Sequence, residues 1–196
     1  MLDHLINDWD IVLASGSPRR LELLSGLLTK FRQEVRAVDE VYPRDMKRHQ
    51  ITNYLAQLKA DAFDDIKPKQ LVITSDTIVW HRDKALEKPA DHQEAFNMIN
   101  SLSDDVHTVY TSVCFKNIDQ QITVYDETKV WFEKLTKEEI NYYIETFKPF
   151  DKAGAYGVQD WLGYAGIRRL EGSYFTVMGL PTHLVYRNLK QILENN

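Results

Sequence analysis

Cysteine is nearly absent from this chain, with Cys114 alone among 196 residues. An internal disulfide is therefore impossible and a cysteine-based metal site is disfavoured. Val113 and Phe115 flank it, so it reads as a buried structural thiol. Long apolar runs are missing too: none approaches the roughly 20 residues needed to span a bilayer. The N-terminus has neither the basic start nor the apolar core of a secretory signal. Positive charge is not in excess either. A net charge of −5 argues against a general nucleic-acid binder, although it leaves room for a local basic pocket. No two histidines have zinc-site spacing, and His81, His107 and His183 read singly as structural or surface groups. Repeats, low-complexity tracts and obvious linkers are also lacking. What is left is one cytoplasmic, globular domain of enzyme size, spanning residues 1–196. At this length it can bury a good core as a single unit or as two lobes sharing a cleft.

Strand and helix signals alternate along the chain. Strands are predicted over Ile11–Ala14, Leu71–Trp80, Val106–Phe115, Ile122–Phe132 and Ala165–Leu170. Helices are predicted over Pro18–Leu28, Thr52–Asp65, His92–Leu102, Lys137–Thr146 and Thr182–Asn195. In the third helix Ala95, Met98, Ile99 and Leu102 form one apolar stripe. This order predicts an α/β domain built on a mixed sheet flanked by helices.

Four groups of residues bear chemistry, the third being two lysines on separate stretches. The first is Leu13-Ala14-Ser15-Gly16-Ser17-Pro18-Arg19-Arg20, which joins a strand to a helix. Backbone N–H groups at such a turn, with two guanidinium forks, suit an anion such as phosphate. A surface turn with two solvated arginines fits the same letters. The second is Ser75-Asp76-Thr77, which follows Leu71-Val72-Ile73. A carboxylate leaving an apolar strand stands where α/β proteins bind ligands, and it can hold Mg²⁺ or take a proton from water. Asp and Ser also favour strand-end turns. Lys59, in Leu55-Ala56-Gln57-Leu58-Lys59-Ala60, and Lys88, in Leu86-Glu87-Lys88-Pro89, are point-charge phosphate binders or snorkelling lysines. The fourth is Asp151-Lys152-Ala153-Gly154-Ala155-Tyr156-Gly157-Val158-Gln159, which reads as a tightly packed loop. Its small residues let backbone approach a ligand, and the Gln159 amide can read a base edge. A structural turn explains the glycines equally well. Gly179-Leu180-Pro181 reads as an architectural helix-start turn.

Taken together, these segments resemble the Maf family of nucleoside triphosphate pyrophosphatases. The likeness runs from Leu13 through Val38-Asp39-Glu40, the Lys59 helix, Ser75-Asp76-Thr77-Ile78-Val79, Glu87-Lys88-Pro89 and Asp151–Gln159 to Val177-Met178-Gly179-Leu180-Pro181. It implies an elongated mixed sheet with two lobes and a central cleft, like that of the inosine triphosphatases. It also implies hydrolysis between the α and β phosphates, a divalent cation (Mg²⁺ or Mn²⁺) and a homodimer. Within the family, Arg19-Arg20 directly after Pro18, Asp76-Thr77 and Gly157-Val158-Gln159 resemble the branch active on dTTP and UTP. Modified pyrimidine nucleotides would fit the same pocket. The same chemistry on another nucleotide such as 7-methyl-GTP, and a non-catalytic regulator of cell division, are the alternatives.

The resemblance also implies roles. Ser15, Arg19, Arg20, Lys59 and Lys88 hold the triphosphate, while Thr77 and Gln159 select the base. Asp76 is the catalytic base or a metal ligand, and Glu40 is a second metal carboxylate with Asp39 as its adjacent rival. Lys152 lies in the matched late loop. Three departures from the family pattern stand out. Met1–Asp10 precede the first motif, Trp80 and His81 follow the acidic strand, and Asp160-Trp161 stand where small residues are expected on the base side.

Overall fold

The computed structural model describes residue 2 and residues 4–195. Among these residues seven strands form one mixed sheet: β1 (Asp10–Leu13), β2 (Arg32–Gln33), β3 (Gln70–His81), β4 (Lys84–Leu86), β5 (Val106–Lys116), β6 (Gln121–Phe132) and β7 (Ile167–Glu171). Their order is β2-β1-β3-β5-β6-β7, with β4 paired to β3. β1 runs parallel to both β2 and β3, in register from Asp10 opposite Gln70 to Leu13 opposite Ile73. β4 is antiparallel to β3, and β7 is antiparallel to β6 with a register shift at Trp131 and Phe132. The mixed sheet expected from the sequence is therefore present.

Among the described residues seven α-helices accompany it: α1 (Pro18–Ser25), α2 (His49–Asp61), α3 (His92–Leu102), α4 (Lys137–Phe147), α5 (Trp161–Ala165), α6 (Tyr174–Met178) and α7 (Thr182–Glu194). Local signals fix several starts. Ser17 caps α1, with Pro18 in its first turn. The Asp91 carboxylate accepts from the Glu94 N–H at 2.8 Å to cap α3. Thr136 and Glu139 close a reciprocal capping box on α4.

The chain folds into two compact units. The first comprises Met1–Asp76, Thr111–Asp126 and Gly179–Asn196, and the second comprises Thr77–Tyr110 and Glu127–Met178. In the first, Val12, Ala14, Phe63 and Val72 form one apolar cluster, and Ala56, Ala60 and Cys114 pack in another. Cys114 is buried, as its neighbours suggest. In the second unit, Ala95, Ile99 and Leu102 of α3 meet Ile140, Tyr143 and Ile144 of α4 over Val109, Val130 and Phe132. Met98 of the predicted stripe packs at the margin of that cluster. Each such side chain contributes roughly 1.5–3 kcal/mol by leaving water.

Several predicted boundaries move. α1 ends at Ser25 rather than Leu28, because the Gly26 N–H still bonds to the Glu22 carbonyl while the Leu27 N–H turns to Leu24. α2 begins at His49, after Arg48 in a left-handed conformation (φ 55°), and stops at Asp61 rather than Asp65. Phe63 there turns into the core, while the Arg36 guanidinium binds the Ala62 carbonyl at 3.0 Å and the Asp65 carboxylate at 2.7 Å. Ala165, predicted to open a strand, closes α5 instead. A short 3₁₀ turn, Pro149–Asp151, leads into the Asp151–Gln159 loop, and a second, Ala153–Ala155, lies within it. Gly154 in the second has φ 68°, and a Cβ there would lie 2.8 Å from Val79 Cγ2, so glycine is required on both grounds.

Candidate active site

Ser15 leaves β1 and is buried. Its hydroxyl oxygen accepts from the Ser17 N–H and from the Arg20 Nη1, both at 3.3 Å. The Gln33 amide of β2 donates to the Ser15 carbonyl at 2.5 Å, so both ends of the turn are fixed. Arg20, on the first turn of α1, also donates from Nε to the Gly179 carbonyl at 2.9 Å. That carbonyl accepts from the Ser75 hydroxyl as well, at 3.1 Å. Gly179 has φ 103°, a conformation that favours glycine. Gly179 and Ser75 therefore orient the guanidinium, a task the sequence reading missed by treating Gly179 as architectural. The left-handed geometry is the only local signal that could have marked it. Arg19, its neighbour on α1, is half-buried.

Asp76 is 6% exposed and lies inside β3. It does not stand at the strand's end, as the polar break Ser75-Asp76-Thr77 suggests. β3 continues to His81 because the polar residues find partners: the Thr74 hydroxyl donates to the Ala56 carbonyl at 2.6 Å, and Ser75 reaches Gly179. β1 pairs with β3 only as far as Ile73, so Asp76 still lies beyond the carboxyl end of a parallel neighbour.

The Lys59 ammonium, carried by α2, donates to Asp76 Oδ1 at 2.6 Å and lies 3.0 Å from Glu40 Oε2. One lysine thus holds two carboxylates in the first unit. Burial raises the Asp76 carboxyl pKa; Lys59 and then Arg20 pull against that rise, and Glu40 adds to it. For Arg20 the order is similar: burial lowers its pKa, and the Asp76 charge opposes the fall. The cluster balances its own charge, with Arg20 and Lys59 facing Asp76 and Glu40.

Among the described residues, no three His, Cys, Asp or Glu side chains gather as a metal cage. The donor set nevertheless fits Mg²⁺ or Mn²⁺. These cations take hard oxygen ligands and commonly use one or two carboxylates together with substrate phosphates. Asp76 and Glu40, drawn to one ammonium, are such a pair. Asp39 is exposed and has no part in that ion pair.

The other predicted site residues belong to the second unit. Thr77 is half-buried on β3, and Lys88 is exposed in the loop after β4, beside the buried Pro89. Gln159 is half-buried, yet its Oε1 is enclosed and has no hydrogen-bond partner. An enclosed acceptor without a donor costs free energy, so a ligand N–H at this position is favoured. Lys152 pairs with Asp151 at 2.9 Å and lies 3.7 Å from Asp160 Oδ2. The histidines have structural partners: His81 with Asp105 at 3.0 Å, and His107 with the Tyr156 hydroxyl at 2.7 Å. His183 lies 3.9 Å from Asp126.

Comparisons with known proteins find relatives along the whole chain. A family model described as Maf-like protein matches residues 10–192. The dTTP/UTP pyrophosphatase of Christiangramia forsetii is 50% identical over 196 residues, covering 100% of both chains. That of Flavobacterium johnsoniae is 48% identical, covering 98% of this chain and all of the relative. Among solved structures, a HAM1 protein from Coxiella burnetii aligns with a TM-score of 0.51 at 13% identity, over 93% of this chain and 99% of that one. At that identity the likeness concerns the fold alone, and it agrees with the mixed sheet flanked by helices expected above.

Proposed function

Since the chain belongs to the Maf-like family, we propose that it hydrolyses dTTP and UTP, and modified pyrimidine triphosphates, to the monophosphate and pyrophosphate. The observation that carries this reading is the Lys59 ammonium held between Glu40 and Asp76, with Arg20 charging the same buried carboxylate. The whole chain acts as one pyrophosphatase domain. Its pyrimidine preference is supported by the names of its relatives and by the enclosed Gln159 acceptor.

Ser15, Arg19, Arg20, Lys59 and Lys88 hold the triphosphate. Guanidinium and ammonium groups stabilise the negative charge that moves onto the departing pyrophosphate. When a triphosphate arrives, its oxygens compete for Lys59, and the two carboxylates are released for other work. Asp76 then accepts the proton of the attacking water. Its raised pKa suits that task, because a base matched to ambient pH transfers protons best. Asp76 and Glu40 would hold the divalent cation, which when bound supplies charge neutralisation and acidifies water. Thr77 and Gln159 select the base. The reaction balances as nucleoside triphosphate plus water giving monophosphate plus pyrophosphate.

No helix among the described residues is long and apolar enough to cross a membrane. The working form is proposed to be a cytoplasmic homodimer acting on free nucleotides rather than on nucleic acid. The test is a panel of nucleoside triphosphates with Mg²⁺ or Mn²⁺, with pyrophosphate and phosphate measured separately. Pyrophosphate released foremost from dTTP and UTP is expected. Release from 7-methyl-GTP instead would keep the chemistry and overturn the base assignment, and no release from any nucleotide would favour a binding role.

A further inference from the structure

Asp160 departs from the small residue expected after the late loop, and the structure gives it a partner. Tyr143, fully buried on α4, donates its hydroxyl proton to Asp160 Oδ2 at 2.8 Å. The same hydroxyl oxygen accepts from the Gly157 N–H at 3.0 Å. One phenol therefore binds the chain on both sides of Val158-Gln159. Burial, and then the charge of Asp160, raise the Tyr143 pKa, so the hydroxyl keeps its proton and the direction of donation is fixed.

Two close approaches complete the brace. A Cβ on Gly157 would lie 2.5 Å from Asp160 Oδ2 and 3.0 Å from Lys152 Cε, so backbone and carboxylate are in direct apposition. A Cβ on Gly163 would lie 1.8 Å from the Val158 carbonyl oxygen, so α5 seats directly on that peptide. The Asp160 N–H also closes a turn onto the Gly157 carbonyl at 3.1 Å. Every residue flanking Gln159 is fixed, while its own Oε1 is enclosed and unpartnered. A polar atom held in that state is preorganised for a donor from outside.

We propose that Tyr143 and Asp160 are positioning residues that aim the Gln159 amide oxygen at the base, favouring a ring that offers an N–H at position 3. Uracil and thymine carry that proton, whereas cytosine presents a bare acceptor nitrogen that leaves Oε1 unsatisfied. The inference rests on the pyrimidine triphosphatase reading above. Neither Tyr143 nor Asp160 need touch the nucleotide.

The test compares full-length wild-type protein with Tyr143→Phe on UTP and CTP, alongside hydrogen exchange of the Gly157–Asp160 amides. Tyr143→Phe should raise the KM for UTP about tenfold, one hydrogen bond's worth of alignment, with kcat nearly unchanged. CTP kinetics should hardly move, so the preference for UTP falls by the same factor while the Gly157 amide exchanges faster. Asp160→Ala should lower the preference likewise and serves if Tyr143→Phe does not fold. Asp160→Asn, which keeps an acceptor for the phenol, should restore most of it. A wild-type preference in both Tyr143→Phe and Asp160→Ala overturns the positioning role, as does an equal loss of kcat on both nucleotides. A wild-type protein that releases no pyrophosphate from UTP overturns the functional reading itself, before any variant is compared.

Discussion

The two units of this chain carry their predicted site residues in different surroundings. In the first, opposite charges gather and satisfy one another: Lys59 with Asp76 and Glu40, and Arg20 with Ser15 and the Gly179 carbonyl. In the second, one phenol braces a turn, Tyr143 meeting both the Gly157 N–H and the Asp160 carboxylate, and His107 meets Tyr156, while Gln159 Oε1 and His107 Nδ1 are left without partners. Mobile opposite charges can be traded for a charged ligand and returned afterwards, which suits a triphosphate that must leave as products. A braced turn that carries an unsatisfied acceptor suits recognition, because an uncharged base is read by geometry rather than by field strength.

Breaking the charge balance should have the largest effect. Lys59→Met leaves Asp76 buried beside Glu40 without its nearest cation. Turnover should fall by about 10²–10³, the scale of losing one charge-stabilising group. Because Lys59 lowers the Asp76 pKa, its removal raises that pKa further. If Asp76 works ionised, the acid limb of the pH–rate profile moves to higher pH. An unmoved limb would separate Asp76 from proton transfer.

A smaller effect, on stability rather than chemistry, is expected in the second unit. Gly154→Ala places a methyl against Val79 at a left-handed position and should cost about 1–3 kcal/mol, read as a lower urea midpoint. A gentler perturbation of the same unit is acid. Burial depresses the His107 pKa to about 3, so the folded protein keeps the ring neutral where the unfolded chain protonates it. Its contribution is constant above the unfolded value and is lost as pH falls from about 6.5 toward 3. The slope reaches at most about 1.4 kcal/mol per pH unit. Urea titrations at about pH 7 and about pH 5 should show this loss, and His107→Gln should flatten it.

Much of the fold was legible because its signals are local. α3 matches its predicted limits, since Asp91 caps one end and the Ala95-Ile99-Leu102 stripe defines the buried face. α2 was overextended because Phe63 continues the apolar period, although its ring turns into the core after the helix has ended. The two-residue β2 and three-residue β4 carry too little alternation to be seen. At the site, the residue types were legible and their partners were not. Arg20 meets Gly179 across 159 residues of chain, and Ser75 reaches the same carbonyl across 104. No spacing rule spans such a distance. Those contacts let β3 run through Asp76 rather than end there. Tyr143 carries no motif signal of its own, and its role rests on hydroxyl partners 14 and 17 residues away along the chain.

The most direct test measures pyrophosphate release from UTP and CTP by Asp76→Asn and Gln159→Ala side by side. Asp76→Asn should lower kcat by about 10²–10⁴ on both nucleotides and leave their ratio unchanged, as for loss of a general base. Gln159→Ala should instead keep turnover at saturation and lose the preference for UTP. Two variants that lose the same parameter in the same proportion would contradict the division between a charged cluster that performs the hydrolysis and a braced turn that reads the base.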